Sequence, residues 1–537
     1  MNPENNEGNI EYKLKLINKS EERLGQLATQ MRYRCREGDG ECIYNLGVED
    51  CGEMVGITNE EYIETISNIN SIADKNDYLV TLLSEMSIDE DKKVYEVLVR
   101  EKNNDKYIDI KVAIAGNVNA GKSSFLGSLT TGKNDDGRGS ARSTICNYAH
   151  ELKSGRTSSV AHHIIGFDCY GKIVNYRGIK LSWQEIVANS KKVISFYDLA
   201  GHEKYIRTTI LGLTSSFPDI CIIMVAANDG INAMTKEHIF LCVILKIPFI
   251  IVISKIDICI DRKNIMEETI RGINRFLKLP GIRRVSLPIR DNDDIRIAVK
   301  SIYNEDITPI FYTSNVTGEG LDKVTNFLNL LSPRLKADKL KEDIVEFHID
   351  HVWNVDGFGT VIGGHLLSGK IRSGDKLLMG PGDSGVYENI IIRTIKCKKI
   401  PLSEINYGGS YVCLGIKRTE KTKIKKGNVI ISNNNDKLAV YKFTGKVDVL
   451  KTHSTTVKVG YEPTLHMSNI RQCVKIVDIK NKKNSRSTVI DDNILRNSDS
   501  AIITLKFMYR PEYVKPGMHF LLCEGRCKIV GEVIETE

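Results

Sequence analysis

Residues 116–124 read GNVNAGKSS directly after an apolar run ending VAIAG, and they fit G-x-x-x-x-G-K-[ST] with Gly116, Gly121, Lys122 and Ser123. Glycines let such a loop turn backbone N–H groups inward around phosphate oxygens, and a helix that starts there adds the positive end of its dipole. The helix-like stretch SSFLGSL follows at once. The candidate phosphate-holding residues are therefore Gly116, Asn117, Val118, Asn119, Ala120, Gly121, Lys122, Ser123 and Ser124. Lys122 would reach the outer phosphates, and the Ser123 hydroxyl would bind magnesium.

Three further clusters extend this chemistry. DLAGHE supplies Asp198, a carboxylate able to hold the magnesium through water, and Gly201, whose N–H can touch a terminal phosphate and sense its loss. SKID supplies Ser254, Lys255 and Asp257. An aspartate accepts from the N1–H and N2–H of guanine, whereas adenine offers no matching donor pair on that edge. Each hydrogen bond to a charged acceptor contributes about 1.5–3 kcal/mol, which favours guanine. The stem of Lys255 can lie along the base. TSNVTGEG brings Ser314, Asn315 and Val316, with backbone N–H groups for the guanine carbonyl. D-x-x-G is weak alone, but the four clusters in this order point to GTP or GDP with Mg²⁺.

The elements around these clusters must hold them at one edge. From Ile108 to about Pro333, short apolar runs (IDIKVAIAG, VISFYDLAG, ICIIMVAAN, PFIIVISKID, ITPIFYTSN) alternate with helical segments. Strands apolar on both faces belong in a parallel sheet covered by helices, and such a sheet binds ligands beyond its carboxyl ends. The expected fold is an α/β P-loop domain, doubly wound with a mostly parallel sheet, over 107–335. After the charged connector RLKADKLKED, glycine-rich short strands predict two antiparallel β-barrels, at 345–440 and 441–537. Residues 1–106 read as a small helical or α+β accessory unit. Leu24, Leu27 and Met31 recur at helical spacing there, and Thr58 with Glu61 makes a capping-box pattern.

Composition is compatible with this plan. The 537 residues suffice for about three or four domains. The net charge of +7 is thinly spread, and from Tyr441 onward 16 Lys and Arg stand against 11 Asp and Glu. That permits an RNA contact without requiring one. Thirteen cysteines without framework spacing favour reduced thiols, and the C-x3-C pair Cys523/Cys527 lacks the two further ligands of a structural zinc site. The opening MNPENNEGN is unlike a signal peptide, and the longest apolar stretch, VILKIPFIIVI, is too short to span a bilayer. The expectation is a cytoplasmic monomer without a membrane contact.

The four clusters and two barrel-like tails resemble the translation-factor branch of the GTPases. GRGSARSTICNYAHELKSGRTSSV, DLAGHEKYIRTTILG, TKEH, SNVTGEGLDKVTNFLNLLSPR, GFGTVIGGHLLSG, EGRCKIVGEVIE and MRYRCREGDGECIYNLG resemble the eukaryotic GTP-binding protein 1 and 2 group, itself similar to elongation factor Tu. The resemblance implies that Thr157, in SGRTSSV, closes on magnesium together with Ser123 and Asp198, with Ser158 one register away. It implies that His202 orients the attacking water. It also implies a link to the ribosome, tRNA or messenger-RNA decay machinery.

Some positions depart from the family pattern. Asn119 stands where translation factors commonly carry an aspartate that helps hold a monovalent cation. Ser254 stands where many GTPases have asparagine, and its shorter side chain is expected to miss the base and the neighbouring loop. That loss would cost about 1 kcal/mol, roughly fivefold in affinity. His162 and His163 read as an exposed pair in the switch region. Arg526 and Lys528 are the candidate RNA contacts of the last barrel.

The leading reading is a GTP hydrolase of the elongation-factor type, slow without an activator. Its rivals are a GTP-controlled RNA or protein adaptor in which hydrolysis is incidental, and an adenine-nucleotide motor.

Overall fold

A computed structural model describes residues 4, 8–18, 20–102, 107–145, 160–176, 181–279, 281–304, 306–334, 344–355, 359–406, 411–418, 424–432, 439–449, 456–483, 494–496, 499–524 and 527–537. The N-terminal part is α+β. Helix α1 (Glu21–Glu37) begins at Ser20, whose hydroxyl accepts from the Arg23 N–H, and carries Glu21 and Glu22 in its first turn and Arg34 and Arg36 in its last. Helix α2 (Asn59–Lys75) opens with the complete Thr58–Glu61 capping box. Both bury one face, with Leu27 and Met31 packing alongside Ile69 and Ile72. They lie on a sheet of β1 (Ile10–Lys13), β2 (Glu41–Leu46), β3 (Tyr78–Ser87) and β4 (Lys93–Glu101), ordered β1-β2-β4-β3.

The central sheet has seven strands: β5 (Ile108–Gly116), β6 (Ala161–Phe167), β7 (Lys192–Asp198), β8 (Ile220–Ala226), β9 (Phe249–Ser254), β10 (Val285–Pro288) and β11 (Ile307–Tyr312). Their order is β10-β11-β9-β8-β5-β7-β6, all parallel except β6, which runs antiparallel beside β7 at one edge. Two apolar clusters cover its faces, one containing Phe125, Phe196 and Phe311, the other Ile223, Ile251 and Phe249. Burial on both faces explains the unbroken apolar runs. Gly116, Asp198 and Ser254 are the last residues of β5, β7 and β9, so three of the four clusters leave the same carboxyl edge of the sheet, two from adjacent strands and the third from beyond β8.

Two β-rich units follow. In the first, seven strands between Glu346 and Ile431 form one sheet. Its first strand in order, Lys376–Gly380, also pairs with the next-to-last, Glu388–Cys397, while Lys370–Arg372 and Glu404–Asn406 form a small separate sheet. The second is a closed six-stranded barrel between Lys442 and Thr536. Lys398 of the first unit pairs with Asp109 at the start of β5, at 2.6 Å. Phe217, just beyond the helix Ile206–Ser215, sits edge-on to His348 and His365. Among the described residues, no helix is long and apolar enough to cross a membrane.

Candidate guanine-nucleotide site

The loop after β5 uses left-handed backbone at Asn119 (φ 63°) and Gly121 (φ 79°). A Cβ at Gly116 would fall 2.5 Å from the Met224 carbonyl oxygen, so only glycine lets β5 leave the sheet there. Helix α3 (Lys122–Thr131) starts directly after Gly121, which aims its first N–H groups into the loop. Lys122 folds back and donates from Nζ to the carbonyls of Gly116 at 3.1 Å and Asn117 at 2.9 Å. Burial lowers the pKa of its ammonium, and the Asp198 carboxylate opposes that shift. A desolvated cation with only carbonyl partners is well suited to receive phosphate oxygens.

Ser123 donates from Oγ to Asp198 Oδ2 at 2.8 Å, so the hydroxyl and carboxylate predicted to share magnesium lie together. Both are hard oxygen donors, which suits Mg²⁺. Gly201 lies against the loop, where a Cβ would meet Lys122 Nζ at 2.3 Å and the Gly116 oxygen at 2.5 Å. His202 is partly exposed, accepts at Nδ1 from the Lys204 N–H at 3.1 Å and faces the Tyr205 ring at 6.1 Å. Thr157 and Ser158 lie outside the described residues.

The base-side groups also converge. Ser314 donates from Oγ to Asp257 Oδ1 at 2.6 Å while accepting from the N–H groups of Val316 and Thr317. Lys255 adopts left-handed backbone (φ 61°), which turns the chain from β9 into the Asp257 segment. Asn315 is buried, and its Nδ2 lies 3.4 Å from where a Gly121 Cβ would be.

Ser254 corrects an expectation. Its hydroxyl does span to the neighbouring loop, donating to the Ala120 carbonyl at 2.8 Å, because that loop lies directly against the end of β9. His162 and His163 also differ from the sequence reading: they belong to β6 and are not exposed. His162 packs edge-on against Tyr197 and against Tyr411 of the first β-rich unit. Burial lowers the pKa of both imidazoles to about 4. They line a cavity of about 280 Å³ with Trp183, Tyr197, Lys398 and Tyr411. A sheet edge covered by another unit leaves no mark in a local reading of the sequence. Arg526 lies outside the described residues, as does the side chain of Lys528.

Asp135 was missed. Its carboxylate accepts from the N–H groups of Gly137, Gly139 and Ala141, and its own N–H donates to the Asn315 carbonyl at 2.8 Å. It ties the segment after α3 to the base loop. The turn-forming string NDDGRG was its only signal.

Residues 109–344 match the family described as Elongation factor Tu GTP binding domain. GTP-binding protein 2 of Homo sapiens is 38% identical over 100% of this chain and 88% of its own length. GTP-binding protein 1 of Xenopus laevis is 38% identical over 98% of this chain and 79% of its own. The chain belongs to the GTP-binding protein 1/2 family. As a member of that family it is a GTPase of the elongation factor Tu type. Translation elongation factor SelB of Methanococcus maripaludis, solved with the GTP analogue GppNHp, shares the fold at a TM-score of 0.55 and 18% identity, with 80% of each chain covered.

Proposed function

We propose that this member of the GTP-binding protein 1/2 family works as a conformational switch of the elongation-factor type, driven by hydrolysis of GTP to GDP and phosphate on the ribosome. The observation that carries the reading is the juxtaposition at the sheet edge of Lys122, the Ser123–Asp198 pair, Gly201 and the Asp257–Ser314 pair. Asp257 keeps Oδ2 outside its bond to Ser314 and accepts the guanine N1–H and N2–H. The N–H of Asn315 is the group offered to the guanine carbonyl, since the N–H of Val316 is held by Ser314 Oγ. Lys122 exchanges its two carbonyl partners for phosphate oxygens, so its charge moves from neutral acceptors to anionic ones. Ser123, Asp198 and Thr157 are the residues that would hold Mg²⁺, which neutralises charge between the outer phosphates when bound.

In His202, Nδ1 accepts a backbone N–H, so in the neutral ring the proton resides on Nε2. That N–H can donate to the attacking water and orient its lone pair toward the terminal phosphorus. Loss of the terminal phosphate removes the contact of the Gly201 N–H and frees the segment that leads to Phe217 and the β-rich units. A partner that seats His202 adds about 10³–10⁵ in rate, by analogy with other GTPase switches. The test measures GTP hydrolysis by the purified chain alone, with ribosomes and with free RNA. Acceleration by ribosomes only is the expected result. Equal rates in all three would overturn the assignment to the ribosome and leave the nucleotide site standing.

A further inference from the structure

Cys35 lies in the last turn of α1, and Cys42 is the second residue of β2. Their sulfurs are 3.0 Å apart, and both side chains are fully buried. A disulfide holds its sulfurs about 2.05 Å apart, so a shift of about 1 Å joins these two. They lie under a short turn in which the Gly40 N–H donates to the Cys35 carbonyl at 2.8 Å and Asp39 and Gly40 take positive φ. Local opening of that turn gives a small oxidant access without unfolding the sheet. Glu41, adjacent to Cys42, is the carboxylate that binds Arg100 and Lys192 and so joins the N-terminal sheet to the central one.

We propose that Cys35 and Cys42 form a reversible disulfide site, oxidised by a peroxide, that braces the joint between the N-terminal and GTPase sheets. The thiolate of one cysteine attacks one peroxide oxygen, breaking the O–O bond and giving a sulfenic acid, and the other oxygen leaves as water with the proton that thiol gave up. The second cysteine keeps its thiol proton until that step is complete. Its sulfur then attacks the sulfenic sulfur, forms the S–S bond and expels the hydroxyl, which leaves as a second water with the thiol proton. Two thiols lose two electrons and two protons, and one peroxide becomes two waters. The link closes the turn and fixes the start of β2, where Glu41 stands.

The test treats the full chain with hydrogen peroxide at neutral pH, blocks free thiols with N-ethylmaleimide and maps peptides without reduction. The expected products are a Cys35–Cys42 linked peptide, lost on adding dithiothreitol, and a higher Tm for the oxidised chain. C35S should remove both. The proposal fails if Cys35 and Cys42 remain alkylatable after denaturation while the exposed Cys51 is oxidised, or if either becomes a sulfinic acid. It fails equally if the Tm rise persists in C35S. Mapping of the unsubstituted chain decides the chemistry even where a variant folds poorly.

Discussion

Lys192, the first residue of β7, donates from Nζ to Glu41 of β2 at 2.7 Å, across 151 residues of sequence. The same ammonium donates to the carbonyls of Asn329 at 2.6 Å and Leu331 at 2.7 Å, at the end of the helix Leu321–Leu330. Arg100 of β4 shares Glu41 at 2.7 Å. All three charged side chains are buried. One cluster therefore fixes the N-terminal sheet, the root of the strand that ends in Asp198, and the last helix of the GTPase part.

Breaking that cluster from one side should be expensive. Glu41→Gln leaves two buried cations without their counter-charge, and urea unfolding should show a loss of about 3–5 kcal/mol. Adding Lys192→Met to that variant removes one stranded charge and should recover part of the loss. Burial alone would raise the Glu41 carboxyl, but Lys192 and Arg100 outweigh it and hold the pKa below the ordinary value. Its contribution is thus present above the ordinary carboxylate range and disappears as pH falls through the lower folded value. A Glu41→Gln chain within 0.5 kcal/mol of the parent, a change typical of neutral surface substitutions, would refute the cluster's role.

A second acid-labile joint links the two β-rich units. Glu346 bonds His348 at 2.7 Å and pairs with Lys515. Burial opposes ionisation, yet the His348 hydrogen bond and Lys515 prevail and bring the carboxyl down to about 2. Against an unfolded value near 4.5, this linkage gives about 3 kcal/mol that is complete above that value and lost between there and pH 2. Stability measured from pH 5 to pH 2 should fall less steeply in Glu346→Gln. Identical slopes would remove Glu346 from the account.

Base recognition gives a test of specificity. Asp257→Asn replaces an acceptor with a group that also donates, so one guanine N–H loses its partner and GTP affinity should drop about 10- to 100-fold. Xanthine carries a carbonyl where guanine has its amino group, and xanthosine triphosphate should bind the variant better than GTP does. Calorimetry with both nucleotides measures the inversion. Unchanged preference would mean that Asp257 does not read the base.

Gly201 tests the phosphate sensor. An added Cβ would meet Lys122 Nζ at 2.3 Å and the Gly116 oxygen at 2.5 Å, so Gly201→Ala must push the segment off the loop. GTP affinity should fall about tenfold, or 1.4 kcal/mol, while GDP, which makes no contact there, changes little. Equal losses for both nucleotides would place Gly201 outside the sensor.

The candidate nucleotide clusters stood out in the sequence because ligand chemistry restricts residue types over a few consecutive positions, as in GKS, SKID and TSN. The sheet was legible because burial on both faces leaves unbroken apolar runs. What escaped was long-range. Glu41, Arg100 and Lys192 look like ordinary surface charges until the chain closes, and nothing local distinguishes them. His162 and His163 were misplaced for the same reason, since the unit that covers β6 lies more than 180 residues further on. Ser254 was misjudged because side-chain length was weighed without knowing how near the Ala120 carbonyl lies to the end of β9. Strands β3 and β4 were hidden behind the clearer helical signals of α1 and α2, although KVYEVLVRE is a strong strand sequence.

His202 separates switching from mere binding. Its Nδ1 is already engaged by the Lys204 N–H, which leaves Nε2 as the ring atom for water. Removing it should therefore leave nucleotide affinity within about twofold, an energy below 0.5 kcal/mol. Ribosome-stimulated hydrolysis should fall about 10²- to 10⁴-fold, the span of a positioned proton-handling group. Single-turnover hydrolysis of His202→Ala with and without ribosomes measures the loss, and nucleotide titration supplies the control. If stimulated hydrolysis survives, water is oriented by another group and the His202 assignment fails. If it vanishes while the cellular activity persists, GTP acts through binding alone and the chain works as an adaptor.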